Sequence, residues 1–547
     1  MKKHILLPIL LSALVITGCG GTKSSEVIPG GNVSSAPASQ EPSSAAPSSE
    51  SSRTQSSSSA SSSAKSSSSS QAVSSAKSSS APASSSQAPS SSSQTPSSSA
   101  TPSSSQAPSY LKKDITVKLD SFFKTPEEGQ TIEPYDMAFK YDDEYFLNDA
   151  KEYDQGLSML SLGATMALAT EARGDAFFND IQFKDVYKND YDKEPTQDTI
   201  GYFMAHRVID NNEVVTVSLR GYDYGLEWSN NLLLGEEGNH YGFDLRAQEV
   251  FVKLQSYIAN KIDDSKTLKL WINGYSRGGS IANVLASYIL ESDEFIIDPT
   301  NVFVYTYEAP ACLSEEHAIR YQNVHNIINK ADIVANVIPE QYGLYRCGVD
   351  YEIYDENASS LMSAFDEEII MPEFLLPEGG ETEAKNDKEF CDYLLNSVYN
   401  CTITDDETKL ATTRKQYVEN YQEGLSGAVG YLFALSAETR SKALADLQAL
   451  GFWTLMSVMF DDTGVGLANF LKTYLDQDNV IYDDDALVAE CAILVKGIGS
   501  VFATLLSLFI SQDDYKTPIM RLVSFHYSET VYVLLDHSHN DVAVVVG

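Results

Sequence analysis

The chain has 547 residues, more than one ordinary domain needs, and 76 Asp/Glu against 38 Lys/Arg give it a formal net charge of −38. So acidic a chain repels nucleic acid and anionic membrane surfaces, which excludes a nucleic-acid partner. The charge is uneven: residues 1–109 hold six Lys/Arg and three Asp/Glu, leaving 32 against 73 for residues 110–547.

The chain opens on a basic segment, Met1-Lys2-Lys3-His4, and an apolar run, Ile5 to Ile16, that is short for a bilayer span. Ile16-Thr17-Gly18-Cys19 closes it. Residues 1–19 resemble a bacterial lipoprotein signal, cleaved before Cys19, which would carry the lipid. That resemblance implies a protein anchored to the membrane at the extracellular face of the cell. Residues 20–109 are dominated by Ser with Ala, Pro, Gln and Thr. They hold too little apolar surface to offset the entropy of ordering, so they read as a flexible linker.

Residues 110–355 carry the pattern of a folded α/β core. Ile115 to Leu119 reads as a strand, and Asp154 to Arg173 has apolar residues at helical spacing. Ile200 to Ile209 and Val214 to Leu219 read as strands joined by the turn Asp210-Asn211-Asn212-Glu213. Helical spacing returns over Phe243 to Ile262, followed by a strand, Leu268 to Asn273, and a helix, Arg277 to Leu290. Val302 to Tyr307 and Val324 to Asn329 are further β-rich runs. Strands alternating with helices predict a mostly parallel central sheet covered on both faces.

Residues 356–515 read as a largely helical insertion, packed over the C-terminal edge of the sheet as a cap or lid. Its most apolar stretches are Ala449 to Phe460 and Ala486 to Ile510. Asp483-Asp484-Asp485 lacks the spacing and glycine of a calcium loop and reads as a solvated face. Residues 516–547 return to the core, with strand pattern at Leu522 to Phe525 and Val531 to Leu535. Five cysteines remain besides Cys19, so at least one is unpaired within the chain; Cys391 and Cys401 either bridge or stay separate thiols.

Between the strand ending at Asn273 and the helix starting at Arg277 lies Gly274-Tyr275-Ser276-Arg277-Gly278. Gly-x-Ser-x-Gly between strand and helix describes a nucleophile elbow, which lifts a serine above the sheet on a strained turn. Gly274 and Gly278 stand where side chains would clash, and the Arg277 N–H can face a developing oxyanion. A second such N–H is available at Tyr222, in the turn after Val214 to Leu219. The alternative is an ordinary strand–loop–helix turn.

A serine nucleophile needs a base and an orienting acid, which in α/β-hydrolases follow it in the order acid, His. Of the eight histidines, His526, His537 and His539 come late enough. His526 directly follows a β-rich run, where the base belongs, while the other two read as surface-turn residues. Asp332, after the strand that follows the elbow unit, is the preferred acid, with Glu308 and Asp350 as alternatives.

These motifs together resemble the fungal-type (class 3) lipase family. Leu219-Arg220-Gly221, Glu227-Trp228, Gly242-Phe243 and Gly274-Tyr275-Ser276-Arg277-Gly278-Gly279 come first. Glu308-Ala309-Pro310, Asn329-Lys330-Ala331-Asp332-Ile333-Val334 with Pro339, and His526 with Tyr532 follow in the family's order. The resemblance implies an α/β-hydrolase fold and a triad of Ser276, Asp332 and His526. It also implies oxyanion donors at Tyr222 and Arg277 and hydrolysis of a carboxylic ester, a lipid by preference, with no cofactor or metal. The rivals are a carbohydrate or small-ester esterase and a catalytically silent surface binding protein.

Three residues depart from the family pattern. Tyr275 stands for His, Arg277 for Leu and Glu308 for Gly. We expect Arg277 and Glu308 to form a charge pair at the rim of the sheet, making the site mouth more polar than that of a triglyceride lipase.

Overall fold

A computed structural model describes residues 110–124, 132–191, 198–222, 225–338, 340–371, 386–399, 413–436, 438–440, 442–443, 446, 463–494, 521–538 and 543–544. The readings on residues 1–109, Pro339, Cys401, Ala449 to Phe460, residues 495–510 and His539 lie outside them.

In chain order the elements begin with an antiparallel pair, β1 (Lys112–Leu119) and β2 (Tyr135–Asp142). Helices α1 (Gln155–Ala167) and α2 (Glu171–Asp180) follow, then strands β3 (Lys184–Asn189), β4 (Tyr202–Ile209) and β5 (Asn212–Leu219). The long helix α3 (Tyr241–Lys261) leads to β6 (Thr267–Tyr275), α4 (Arg277–Glu291) and β7 (Val302–Tyr307). Among the described residues five short strands remain: β8 (Leu313–Ser314), β9 (Val324–Ile328), β10 (Leu344–Tyr345), β11 (Val349–Glu352) and, near the C-terminus, β12 (Ala543–Val544). Between the last two come α5 (Ala358–Phe365), α6 (Asp387–Tyr399), a single helical turn at Arg414–Tyr417, α7 (Glu423–Ala434), α8 (Val465–Gln477) and, just before β12, α9 (Ser528–His537).

Among the described residues eight strands form the main sheet in the order β12-β11-β9-β7-β6-β5-β4-β3. The five from β11 to β5 run parallel, and the outer pairings are antiparallel. This is the α/β-hydrolase architecture. Both faces are covered, so the central strands are near-continuous apolar runs. Alternation decides the face: Trp271 and Tyr275 of β6 and Phe303, Tyr305 and Tyr307 of β7 join one core, packed on α1. Leu270, Ile272, Val302 and Val304 join the other, packed on α3 and α4. Trp271 Nε1 donates to Ser161 Oγ of α1 at 2.8 Å, and the Tyr307 hydroxyl donates to the Ser158 carbonyl, so polar atoms carried in by large rings are satisfied.

The predicted helix over Asp154 to Arg173 is two helices. Thr170 breaks it by capping the second: its Oγ1 accepts from Arg173 N at 3.3 Å. The β-rich run at Leu522 to Phe525 is helical instead: residues 521–524 are helical, and turns close at His526 N–Val523 O (2.9 Å) and Tyr527 N–Ser524 O (3.2 Å). Val531 to Leu535 lies within α9, where Val531, Leu534 and Leu535 share the buried face.

Within the insertion, Ala358, Met362, Ile369, Met371 and Cys391 belong to the same core as α1. Ala428, Leu432, Leu467, Leu471, Leu487 and Leu494 belong to a separate apolar cluster built through α7 and α8. Arg414 joins this region to the core by donating to the carbonyls of Gly235, Gly238 and Asn239 at 2.6, 2.7 and 2.8 Å. Burial brings its guanidinium down to about 10. Asp483 Oδ1 accepts from Asp485 N and Ala486 N, so the acidic run there caps a helix.

Candidate active site

The site begins where β6 turns into α4. Ser276 has φ +50° and ψ −123°, a strained conformation for a residue with a Cβ. Its N–H donates to the Tyr307 carbonyl at 2.7 Å, which fastens the turn to β7. The flanking glycines are needed for space. A Cβ on Gly274 would lie 2.2 Å from the Gly278 carbonyl oxygen, and one on Gly278 would lie 2.7 Å from the Leu219 oxygen.

His526 reaches Ser276 from the turn before α9. With the ring proton on Nδ1, His526 donates to Asp332 Oδ2 at 2.5 Å and accepts at Nε2 from Ser276 Oγ at 2.9 Å. Asp332 is fully buried and Ser276 and His526 nearly so. The second Asp332 oxygen accepts from Val334 N at 2.8 Å, and Asn336 Nδ2 donates to the Asp332 carbonyl at 2.7 Å, so the acid loop is held twice. A hydroxyl, an imidazole and a buried carboxylate in this order can move a proton off the hydroxyl as it attacks.

The turn after β5 lies against the elbow. A Cβ on Gly221 would fall 2.0 Å from the Tyr275 carbonyl oxygen, and the Tyr222 and Tyr275 ring centroids are 4.7 Å apart. The Tyr222 and Arg277 N–H groups are thereby carried on adjoining turns, and Arg277 opens α4, whose first N–H groups have no acceptor four residues earlier.

The other candidates are engaged elsewhere. Asp350 accepts from Arg346 Nη2 at 3.1 Å and from Asn326 Nδ2 at 2.9 Å. The His537 side chain is more than half exposed, with Asp355 as its acidic neighbour at 3.7 Å.

The expected pair between Arg277 and Glu308 does not form. Arg277 points into the protein, where Nη1 lies 3.3 Å from Glu227 Oε2. The other Glu227 oxygen accepts from Arg220 Nη2 at 2.7 Å. Glu308 turns the opposite way: Asn329 N donates to its two oxygens at 3.0 and 3.1 Å, and burial followed by the charge of Asp332 holds its carboxyl well above the usual carboxylate range. The two side chains are engaged in different walls of the site, so the mouth does not gain the polarity expected of it.

Three contributors were not assigned from the sequence. The Tyr275 hydroxyl donates to the His526 carbonyl at 2.9 Å, tying the base loop to the elbow. Glu227 links the arginines behind the two N–H-bearing turns. Arg346 Nη1 donates to the Ala309 carbonyl at 3.0 Å, bracing the turn that carries Glu308. Tyr275 and Glu308 were visible as departures from the family pattern, but a partner 251 or 21 residues away along the chain is set by the fold.

Residues 216–342 match the sequence model of a family described as Lipase (class 3). Among solved structures, the chain is similar to a fungal lipase–inhibitor complex at 18% identity, covering 37% of this chain and 80% of that one, with a TM-score of 0.31. It is similar to the lipase of a Rhizomucor miehei propeptide complex at 18% identity, 36% and 68% coverage and a TM-score of 0.30. Lipase II from Rhizopus niveus gives 15% identity, 37% and 80% coverage and a TM-score of 0.30. No curated protein matches the chain.

Proposed function

We propose that this serine carboxylic-ester hydrolase of the lipase type uses Ser276 as nucleophile, His526 as general base and acid, and Asp332 to orient the imidazole. The observation that carries the reading is the continuous contact from Ser276 Oγ through His526 to Asp332, at 2.9 and 2.5 Å, on a strained turn. Ser276 Oγ attacks the ester carbonyl carbon while His526 Nε2 takes its proton. The N–H groups of Tyr222 and Arg277 receive the negative charge on the carbonyl oxygen. Collapse breaks the bond to the alcohol oxygen, which leaves with the proton from His526. Water then attacks the acyl-enzyme by the same route and releases the acid.

The substrate we favour is a lipid ester. Phe122 lies 6.0 Å from the Tyr222 ring and 5.5 Å from the Tyr527 ring, and Phe123 lies 4.9 Å from Tyr527. These rings join the oxyanion and base sides of the site in one aromatic cluster, which suits an apolar acyl group. We further propose that the enzyme works at the outer face of the membrane, tethered through Cys19 and the linker. Among the described residues no helix is long and apolar enough to cross a membrane.

A series of p-nitrophenyl esters of increasing acyl length tests the substrate. Rising kcat/KM with chain length supports a lipid, whereas hydrolysis of acetyl esters alone supports the small-ester or carbohydrate esterase reading. Ser276→Ala must abolish turnover throughout the series.

A further inference from the structure

The segment that follows the Tyr222 turn is gripped by the insertion. Arg414 is buried, and it donates to five main-chain carbonyls of one loop: Leu234 at 2.5 Å, Gly235 at 2.6 Å, Gly238 at 2.7 Å, Asn239 at 2.8 Å and Glu237 at 3.2 Å. Every acceptor it has among the described residues is a main-chain oxygen. Gly235 and Gly238 stand at φ +72° and +70°, a region glycine enters without strain, and they bend the loop so that its carbonyls converge. Carbonyl dipoles aimed at one point repel one another, and away from water each needs a donor. The guanidinium therefore holds the loop in this shape.

Two more bonds come from the same stretch of the insertion. The Gln422 side-chain oxygen accepts from Gly235 N at 2.9 Å, and the Tyr417 hydroxyl donates to the Leu232 carbonyl at 3.0 Å. Helix α7 packs along Gly225–Leu232, the helical turn that leads into the loop. That turn carries Glu227, fully buried, which bonds Arg220 at 2.7 Å and lies 3.3 Å from Arg277. Arg220 stands two residues before Tyr222, and Arg277 itself offers an oxyanion N–H. The contacts are thus continuous from the insertion, through residues 225–239, to the turns that carry both donors.

We propose that this part of the insertion is a brace for the oxyanion hole and that Arg414 is its positioning residue. The inference rests on the triad reading above, including its two N–H donors. By fixing the loop from Leu234 to Asn239, Arg414 keeps Glu227 between Arg220 and Arg277. The Tyr222 and Arg277 N–H groups are then held ready for the charge that develops on the ester oxygen.

Arg414→Ala in the full chain tests it, with kcat, KM and the pH profile read on a soluble p-nitrophenyl ester well below the melting temperature. Loosened oxyanion donors weaken transition-state binding more than substrate binding, so kcat should fall roughly tenfold at unchanged KM. The acid limb of the kcat profile should stay in place, because His526 is held by other contacts. Millimolar guanidinium chloride should restore part of the lost kcat by refilling the carbonyl loop, and equimolar sodium chloride should not. Wild-type kcat in a variant that only melts earlier would overturn the proposal, because Arg414 would then add stability alone. A rise in KM alone or a shifted acid limb would also overturn it, by assigning Arg414 to substrate binding or to the base. Should Arg414→Ala fail to fold, the double variant Tyr417→Phe/Gln422→Ala takes its place, since it removes two side-chain bonds to the same segment. Its kcat should fall severalfold at unchanged KM, and wild-type kcat there would overturn the proposal. Wild-type protein that neither turns over ester nor reacts with a fluorophosphonate would overturn the triad reading itself, which is a separable outcome.

Discussion

Arg277 Nη1 lies 3.3 Å from Glu227 Oε2, with both side chains fully buried. Through its other oxygen Glu227 also holds Arg220, so one carboxylate joins the strand end before the Tyr222 turn to the first residue of α4. Removing the shared anion by Glu227→Ala leaves two buried arginines without their common partner and should cost about 3–5 kcal/mol. Arg277→Leu should cost less, because Arg220 still neutralises Glu227. Urea denaturation of the two variants checks the order; Glu227→Ala as stable as Arg277→Leu would contradict it.

The Tyr275 hydroxyl is a tether for the base. Tyr275→Phe leaves the buried His526 carbonyl without the donor now at 2.9 Å. That should destabilise by about 1–3 kcal/mol. With the loop less fixed, kcat should fall while KM stays near wild type. Steady-state kinetics separates the two, and a rise in KM alone would show that the tyrosine acts on substrate binding.

Close approach makes the elbow glycines hard to replace. Gly274→Ala puts a Cβ 2.2 Å from backbone at Gly278, and Gly221→Ala puts one 2.0 Å from backbone at Tyr275. Neither obstacle is a flexible side chain. Each variant should lose about 3 kcal/mol or more, or fail to accumulate as folded protein. Thermal melts of purified variants test this.

Stability should fall on both sides of a mildly acidic optimum. Burial raises Glu529 from 4.5 to about 7, so it is neutral in the fold and charged when unfolded in between. Its contribution is complete below about pH 4.5 and is lost as pH rises to about 7, on the order of 3 kcal/mol. Burial lowers His240 to about 3 and His325 to about 4, so their contributions hold above about pH 6.5 and are lost as pH falls through those values. Glu529→Gln should flatten the alkaline slope only, as read by melting temperature against pH. An unchanged slope would assign the loss to another group.

The central sheet was legible because its strands are buried on both faces and read as unbroken apolar runs between helical patterns, as β6 and β7 do. The position of Ser276 was legible because strand, glycine spacing and helix are all local. The region around His526 was not. Its β-branched run suggested strands, but Arg521 is held inside by Asp387 at 2.7 Å. Glu529 near the start of α9 and His537 at its end follow the acid-first, base-last order of helix sequences, a signal the apolar pattern outweighed. The fate of Arg277 and Glu308 failed for a different reason. They sit in neighbouring turns, yet side-chain direction sends one toward β5 and the other toward the acid loop, and sequence spacing carries no information on that choice.

The most direct measurement of the central claim is intact-protein and peptide mass spectrometry after treatment with a fluorophosphonate. The account predicts one covalent adduct, located on Ser276, absent from Ser276→Ala and strongly slowed in His526→Ala. An adduct on another residue, or folded wild-type protein that takes up none, would contradict it.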